Sequence, residues 1–161
     1  MEGNYLLLKI QIAAIILIFF LATLSKAQDK GFGVGILIGE PTGLSGKYWL
    51  DDSRALDFGL ASSFVHTYTA LSLHSDLIFH NFELIKSQFR LPVYYGVGVR
   101  IHLNNQGGNT FGARGVIGID WFVNNYPIDV FIEMAPVFNL FPETLLQLDL
   151  SIGGRYYFDK K

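Results

Sequence analysis

From residue 31 onward the chain alternates apolar and polar side chains with a period of two, the spacing of a β-strand with one oily face. The last stretch, 145–158, shows it most strictly. Leu146, Leu148, Leu150, Ile152, Tyr156 and Phe158 fall on one parity, and Gln147, Asp149, Ser151, Arg155 and Tyr157 on the other. A helix would line up Leu148, Ile152 and Tyr156, but it would bury Gly153 and Gly154 in its interior at about 1 kcal/mol each. The same alternation runs through 91–104, where Val93, Tyr95, Val97, Val99 and Ile101 oppose Tyr94, Gly96, Gly98, Arg100 and His102. The pattern predicts strands at 31–39, 43–50, 54–64, 69–80, 91–104, 111–124, 128–140 and 145–158. Turn-forming residues separate them, among them Pro41, Asp51-Asp52-Ser53, Asn104 to Asn109, Asn124-Asn125 and Pro142. The least defined boundary is 81–90, where Phe82, Leu84 and Ile85 would either prolong the fourth strand or form a short amphipathic turn.

Within the strands the apolar parity carries no charge beyond Arg54, the first residue of 54–64. The polar parity carries charges of both signs: Lys47, Arg100, Arg114 and Arg155, with Asp57, Asp76, Asp120, Asp129, Glu133 and Asp149. Periodicity does not say which face points outward. A soluble barrel of the lipocalin type fills its lumen with the apolar face, whereas a membrane barrel turns that face to lipid. Two features choose the second arrangement. The polar parity is rich in glycine (Gly33, Gly35, Gly59, Gly96, Gly98, Gly112, Gly118 and Gly153), which suits a crowded interior. Only Lys47 among its ten charges is lysine, the residue that usually guards a water-facing strand. The fold expected is all-β, an eight-stranded antiparallel up-and-down transmembrane β-barrel, with those ten residues as a lumen polar network. With an even strand number both ends of the chain lie on the periplasmic side. Tyr48, Trp121, Tyr156 and Phe158 then fall near one interface as an aromatic girdle.

Composition fits a membrane barrel: half the chain is hydrophobic and only 16% is charged. Residues 1–27 read as a cleaved secretory signal, with Lys9 before an apolar run and Ser25-Lys26-Ala27 as a small-x-small cleavage site. That leaves 28–161 as one barrel domain of the outer membrane. The chain has no cysteine, which removes a disulfide framework and an N-terminal lipidated cysteine anchor. Its mildly acidic balance offers no basic stripe for nucleic acid.

Candidate chemistry is sparse. His74, Asp76 and His80 share one parity, but a strand rises about 3.3 Å per residue, so the two histidines stand roughly 20 Å apart. They cannot share an ion whose ligands bind at about 2 Å. No metal site and no cofactor is expected. Ser63 and His66 lie three residues apart near a loop, with no carboxylate to orient the histidine, so no enzyme is expected either. The glycines within 105–109 lack the strand-to-helix context of a phosphate loop.

Three stretches carry a resemblance. They are Gly39-Glu40-Pro41-Thr42-Gly43-Leu44-Ser45-Gly46-Lys47-Tyr48-Trp49, Tyr95-Gly96-Val97-Gly98-Val99-Arg100 and Ile152-Gly153-Gly154-Arg155-Tyr156-Tyr157-Phe158. Together the chain resembles the small bacterial outer-membrane β-barrel proteins of the OmpX/OmpA kind over its mature length. The resemblance implies a fold and a membrane rather than a reaction. Its implied partners are outer-membrane lipid and the barrel assembly machinery, which would read Tyr156 and Phe158 in the last strand. One departure is that the outer connections here are short where OmpX-like relatives raise long loops. The function expected is a structural envelope role with a side-chain-filled lumen. The alternatives are an outer-rim binding or adhesion protein docking another envelope or surface component, a narrow channel, and a soluble ligand-binding barrel.

Overall fold

A computed structural model describes residues 31–63, 70–104 and 108–158. They form eight strands: β1 (Phe32–Glu40), β2 (Thr42–Trp49), β3 (Arg54–Ser63), β4 (Ala70–Asn81), β5 (Val93–Asn104), β6 (Thr110–Phe122), β7 (Ile128–Phe141) and β8 (Leu145–Phe158). Each pairs antiparallel with the next, and β8 closes on β1 from Phe32↔Phe158 to Glu40↔Leu150, so the sheet is a barrel without edges. The proposed signal 1–27 and His66 lie outside the described residues.

Strand boundaries depart from the sequence reading by a few residues, for local reasons. Thr42 joins β2 because its hydroxyl closes the hairpin, donating to the Gly39 carbonyl at 2.7 Å and accepting from the Gly39 N–H at 3.1 Å. β5 begins at Val93 rather than residue 91, since Pro92 has no N–H to give the ladder. Its carbonyl still accepts from Asp120 N at 3.0 Å. Phe82, Leu84 and Ile85 neither extend β4 nor form a helix. They begin an irregular connection that returns to the barrel through the Arg90↔Phe122 bridge.

The alternation decides the facing of every strand. The apolar parity points away from the axis: Val97 is 68% exposed and Leu146 67%. Ile36, Leu60, Leu73, Ile132 and Leu150 project with them. The polar parity points inward, and Lys47, Asp120 and Asp129 are fully buried. Such an arrangement is inverted relative to a water-soluble barrel and matches a bilayer-spanning one. Glycine makes the inward face passable. A Cβ at Gly59 would overlap the His74 ring, and one at Gly33 would come within 2.7 Å of Tyr157 Cε1. Small inward residues therefore sit beside the large ones, and the lumen is filled rather than hollow.

The two ends of the barrel differ. Phe32 and Phe158 mark one end, which also carries the β2–β3, β4–β5 and β6–β7 connections. There the β4–β5 link, 82–92, is the longest in the barrel. At the opposite end Pro41 alone joins β1 to β2, and 142–144 join β7 to β8.

Candidate functional site

Alternation fixes what reaches the lumen, and the antiparallel register fixes what meets there. All ten charged residues of the polar parity are buried, in three tiers along the axis. Nearest the Phe158 end, Lys47 Nζ lies 2.5 Å from Asp120 Oδ2 and 3.5 Å from Asp129 Oδ2. His80 Nε2 is 2.9 Å from the same Asp120 oxygen. Tyr157 donates its hydroxyl to Asp129 at 2.6 Å.

Arg155 is the crosspiece of this tier. From β8 its guanidinium donates to Ser45 Oγ on β2 at 2.7 Å, Asp57 Oδ2 on β3 at 3.1 Å and Asp129 Oδ2 on β7 at 3.3 Å. It also lies 3.8 Å over the Phe131 ring. One cation thus ties three strands besides its own, as a planar five-donor group allows and an ammonium does not.

In the middle tier Arg114 bridges Asp76 and Glu133, donating to Glu133 Oε1 at 2.8 Å. Glu133 also accepts from the Tyr94 hydroxyl at 2.9 Å and the Ser151 hydroxyl at 3.1 Å. The far tier is a bidentate pair. Arg100 Nη1 donates to both oxygens of Asp149 at 2.8 and 2.9 Å, and Nη2 reaches Gln147 and Asn139.

Beneath the first tier an aromatic floor closes the Phe158 end. Trp49 and Phe122 are buried with ring centroids 6.2 Å apart, and the Trp49 ring packs at a tilt against His80, centroids 4.4 Å apart. Phe82 adds a ring 6.2 Å from Phe122, with the Arg90 guanidinium 4.7 Å from Phe82 and 5.0 Å from Phe122. The sequence analysis places Tyr94 and Tyr157 on the inward parity but outside the polar network, and it passes over Trp49, Phe122 and Phe131 as lumen residues. Their parity was the available signal, since each shares a face with charged neighbours on its own strand.

His74 and Asp76 are brought together, and His80 is not part of that group. The third member comes from the neighbouring strand: Asp57 is the register partner of Asp76. Ligand atoms of Asp57, His74 and Asp76 all lie within 4.8 Å of one another.

Tyr48, Trp121, Tyr156 and Phe158 all sit toward the Phe158 end of their strands. Trp121 and Phe158 are exposed, and Tyr48 and Tyr156 half-buried. Tyr156 and Phe158 pack edge-on at 5.2 Å, and Phe89 packs edge-on against Trp121 at 6.2 Å.

Outside the strands, the β2–β3 turn is organised by one carboxylate. Asp51 accepts from the backbone N–H groups of Ser53 at 2.9 Å and Arg54 at 2.8 Å, and from Arg54 Nε at 2.5 Å. The Ser53 amide, with the Arg54 side chain, holds its carboxyl well below the usual carboxylate range.

No protein-family model matches the chain, and no curated protein matches it. Among solved structures it is similar to the crystal structure of Neisserial surface protein A (NspA), with a TM-score of 0.56 at 15% identity, covering 80% of this chain and 98% of that one. It also aligns with Ail, the attachment invasion locus protein of Yersinia pestis, at a TM-score of 0.39 and 13% identity, covering 80% and 94%. The likeness to NspA along nearly its full length, together with the closed eight-strand topology, gives this chain the fold of an eight-stranded antiparallel up-and-down transmembrane β-barrel.

Proposed function

We propose that the protein is an integral outer-membrane barrel with a structural role in the envelope, working as a closed, side-chain-filled cylinder rather than as an enzyme or a pore. The observation that carries this is the inverted burial. Val97, Ile132 and Leu150 face outward along a continuous apolar wall, while ten charged side chains are sealed inside. Water would penalise the first arrangement and lipid rewards it. Three tiers of cross-strand ion pairs tie opposite walls, which suits rigidity more than turnover. The lumen aligns no nucleophile with a base at an accessible rim among the described residues.

Outer-membrane lipid is then the main partner, met by the apolar wall with Tyr48, Trp121, Tyr156 and Phe158 at one interface. The barrel assembly machinery would read the Tyr156 and Phe158 end of β8, which is also the strand that closes the barrel. Among the described residues an adhesive role at the far rim has little to work with, because Pro41 and 142–144 are minimal connections.

Fractionation tests the reading. The mature protein is expected in the detergent-extracted outer-membrane fraction, with a shift in gel migration on heating. Recovery in the aqueous periplasmic fraction would overturn it.

A further inference from the structure

Among the described residues the lumen holds six buried carboxylates, Asp57, Asp76, Asp120, Asp129, Glu133 and Asp149, against four fixed cations, Lys47, Arg100, Arg114 and Arg155. Two negative charges are left over in an interior with little water to solvate them, where uncompensated charge is costly. The first tier sets Lys47 and Arg155 against Asp57, Asp120 and Asp129, and the middle tier sets Arg114 against Asp76 and Glu133, so each has one negative charge over and the two tiers meet at Asp57 and Asp76. Asp57 and Asp76 face each other directly across β3 and β4, an arrangement in which like charges repel. Each is held from one side by a guanidinium, Asp57 by Arg155 and Asp76 by Arg114. Asp76 is 1% exposed, and its Oδ1 is buried without a hydrogen-bond partner.

His74 completes the group. It stands two residues before Asp76 on the same inward face, and its ring occupies the space left by Gly59 on the facing strand. One imidazole nitrogen and two carboxylate oxygens thus converge within 4.8 Å. We propose that this cluster is a binding site for one divalent transition-metal ion of the zinc class, held by Asp57, His74 and Asp76.

The donor set selects that class. Calcium and magnesium prefer all-oxygen shells of six or more ligands, whereas a mixed nitrogen and oxygen set of three protein donors with an open position suits zinc or cobalt. Bonds of about 2.0–2.2 Å require the three side chains to draw inward by less than an ångström each. Arg114 donates to Asp76 Oδ2 and leaves Oδ1 unbonded, and Arg155 lies against both Asp57 oxygens, at 2.9 and 3.1 Å, so each carboxylate is oriented by a partner behind it, as metal ligands are. A dication also cancels the two surplus charges, which no monovalent ion does alone. Sequence spacing excluded a site built from His74 and His80, and the register supplies Asp57 in place of the distant histidine.

The untagged mature protein is refolded into detergent micelles with zinc present, dialysed against metal-free buffer, and assayed for bound zinc. Cobalt is substituted in parallel for its visible absorption. One equivalent is expected to remain with the wild-type protein, with tetrahedral cobalt bands. His74→Gln should lower the affinity by at least about tenfold, the lower bound for losing even an outer partner of a metal site. It should keep heat-modifiable migration, and His80→Gln should leave retention unchanged. Wild-type protein that folds but retains no metal would overturn the proposal and assign the surplus charge to two protons. Equal retention in folded His74→Gln would overturn it as well. Stoichiometry in micelles is read independently of where the protein fractionates, so the two proposals fail separately.

Discussion

Arg155 on the last strand reaches Asp57 on the third across the lumen, its Nη2 3.1 Å from Oδ2, although the two lie 98 residues apart in the chain. The contact exists only once β8 has closed on β1, so the bond reports closure of the cylinder. It also sets the cost of losing the arginine. Arg155→Ala leaves both Asp57 and Asp129 without their shared donor in a buried site, and removing one partner of a buried pair typically costs about 3–5 kcal/mol. Urea-titrated refolding into detergent, followed by tryptophan fluorescence, should show a loss of that size. Arg155→Lys should recover only part of it, because an ammonium cannot span Ser45, Asp57 and Asp129 together. A wild-type midpoint in Arg155→Ala would contradict the crosspiece role.

The outward wall makes the opposite demand. Val97 is near the middle of β5 and 68% exposed, so Val97→Arg places a charge in lipid and should cost about 2–4 kcal/mol if it sits at the midplane. Leu146→Arg is equally exposed but lies one residue inside the far end of β8, where the same substitution should cost about 0–1 kcal/mol. Refolding midpoints in lipid vesicles would separate the two. Equal, small effects would mean that no hydrocarbon surrounds Val97.

Much of this was legible in the sequence, because alternation is a local property that the barrel must obey at every strand. The parity of 145–158 alone assigns Asp149 and Arg155 to one side and Leu148 and Ile152 to the other, and the structure keeps them there. What alternation does not supply is register. Nothing in the sequence says that Asp57 faces Asp76, or that Tyr157 donates to Asp129, since those pairings follow from how neighbouring strands are offset. The aromatic floor was hidden for a different reason. Trp49 and Phe122 are hydrophobic residues on the inward parity, and a binary reading of oily against polar faces passes over them.

The β2–β3 turn should respond to acid. The Asp51 carboxyl has a native pKa below its unfolded value, so its stabilising effect is present above the ordinary carboxylate pKa of about 3.9 and is lost as pH falls below it toward the native value. Asp51→Asn keeps an acceptor for the Ser53 and Arg54 amides but loses the charge beside Arg54. The gap in urea midpoint between wild type and Asp51→Asn should therefore be largest near neutrality and shrink at pH 3. A gap that widens on acidification would mean that the turn gains nothing from the ionised form.

The lumen is closed twice, and this makes a prediction about conductance. Trp49, Phe82 and Phe122 form the aromatic floor, and the ion layer of Lys47, Asp120, Asp129 and Arg155 lies behind it. Purified wild-type protein in a planar bilayer should show no unitary steps. Phe122→Ala removes a fully buried ring and should destabilise the barrel by about 3–5 kcal/mol. The bilayer current should nonetheless stay at baseline, because the ion pairs still block the axis. Stability and conductance are expected to part company in this one variant: a lower refolding midpoint with an unchanged current. Unitary steps in the wild-type protein would show that the interior side chains move aside, and the barrel would then have to be read as a narrow channel.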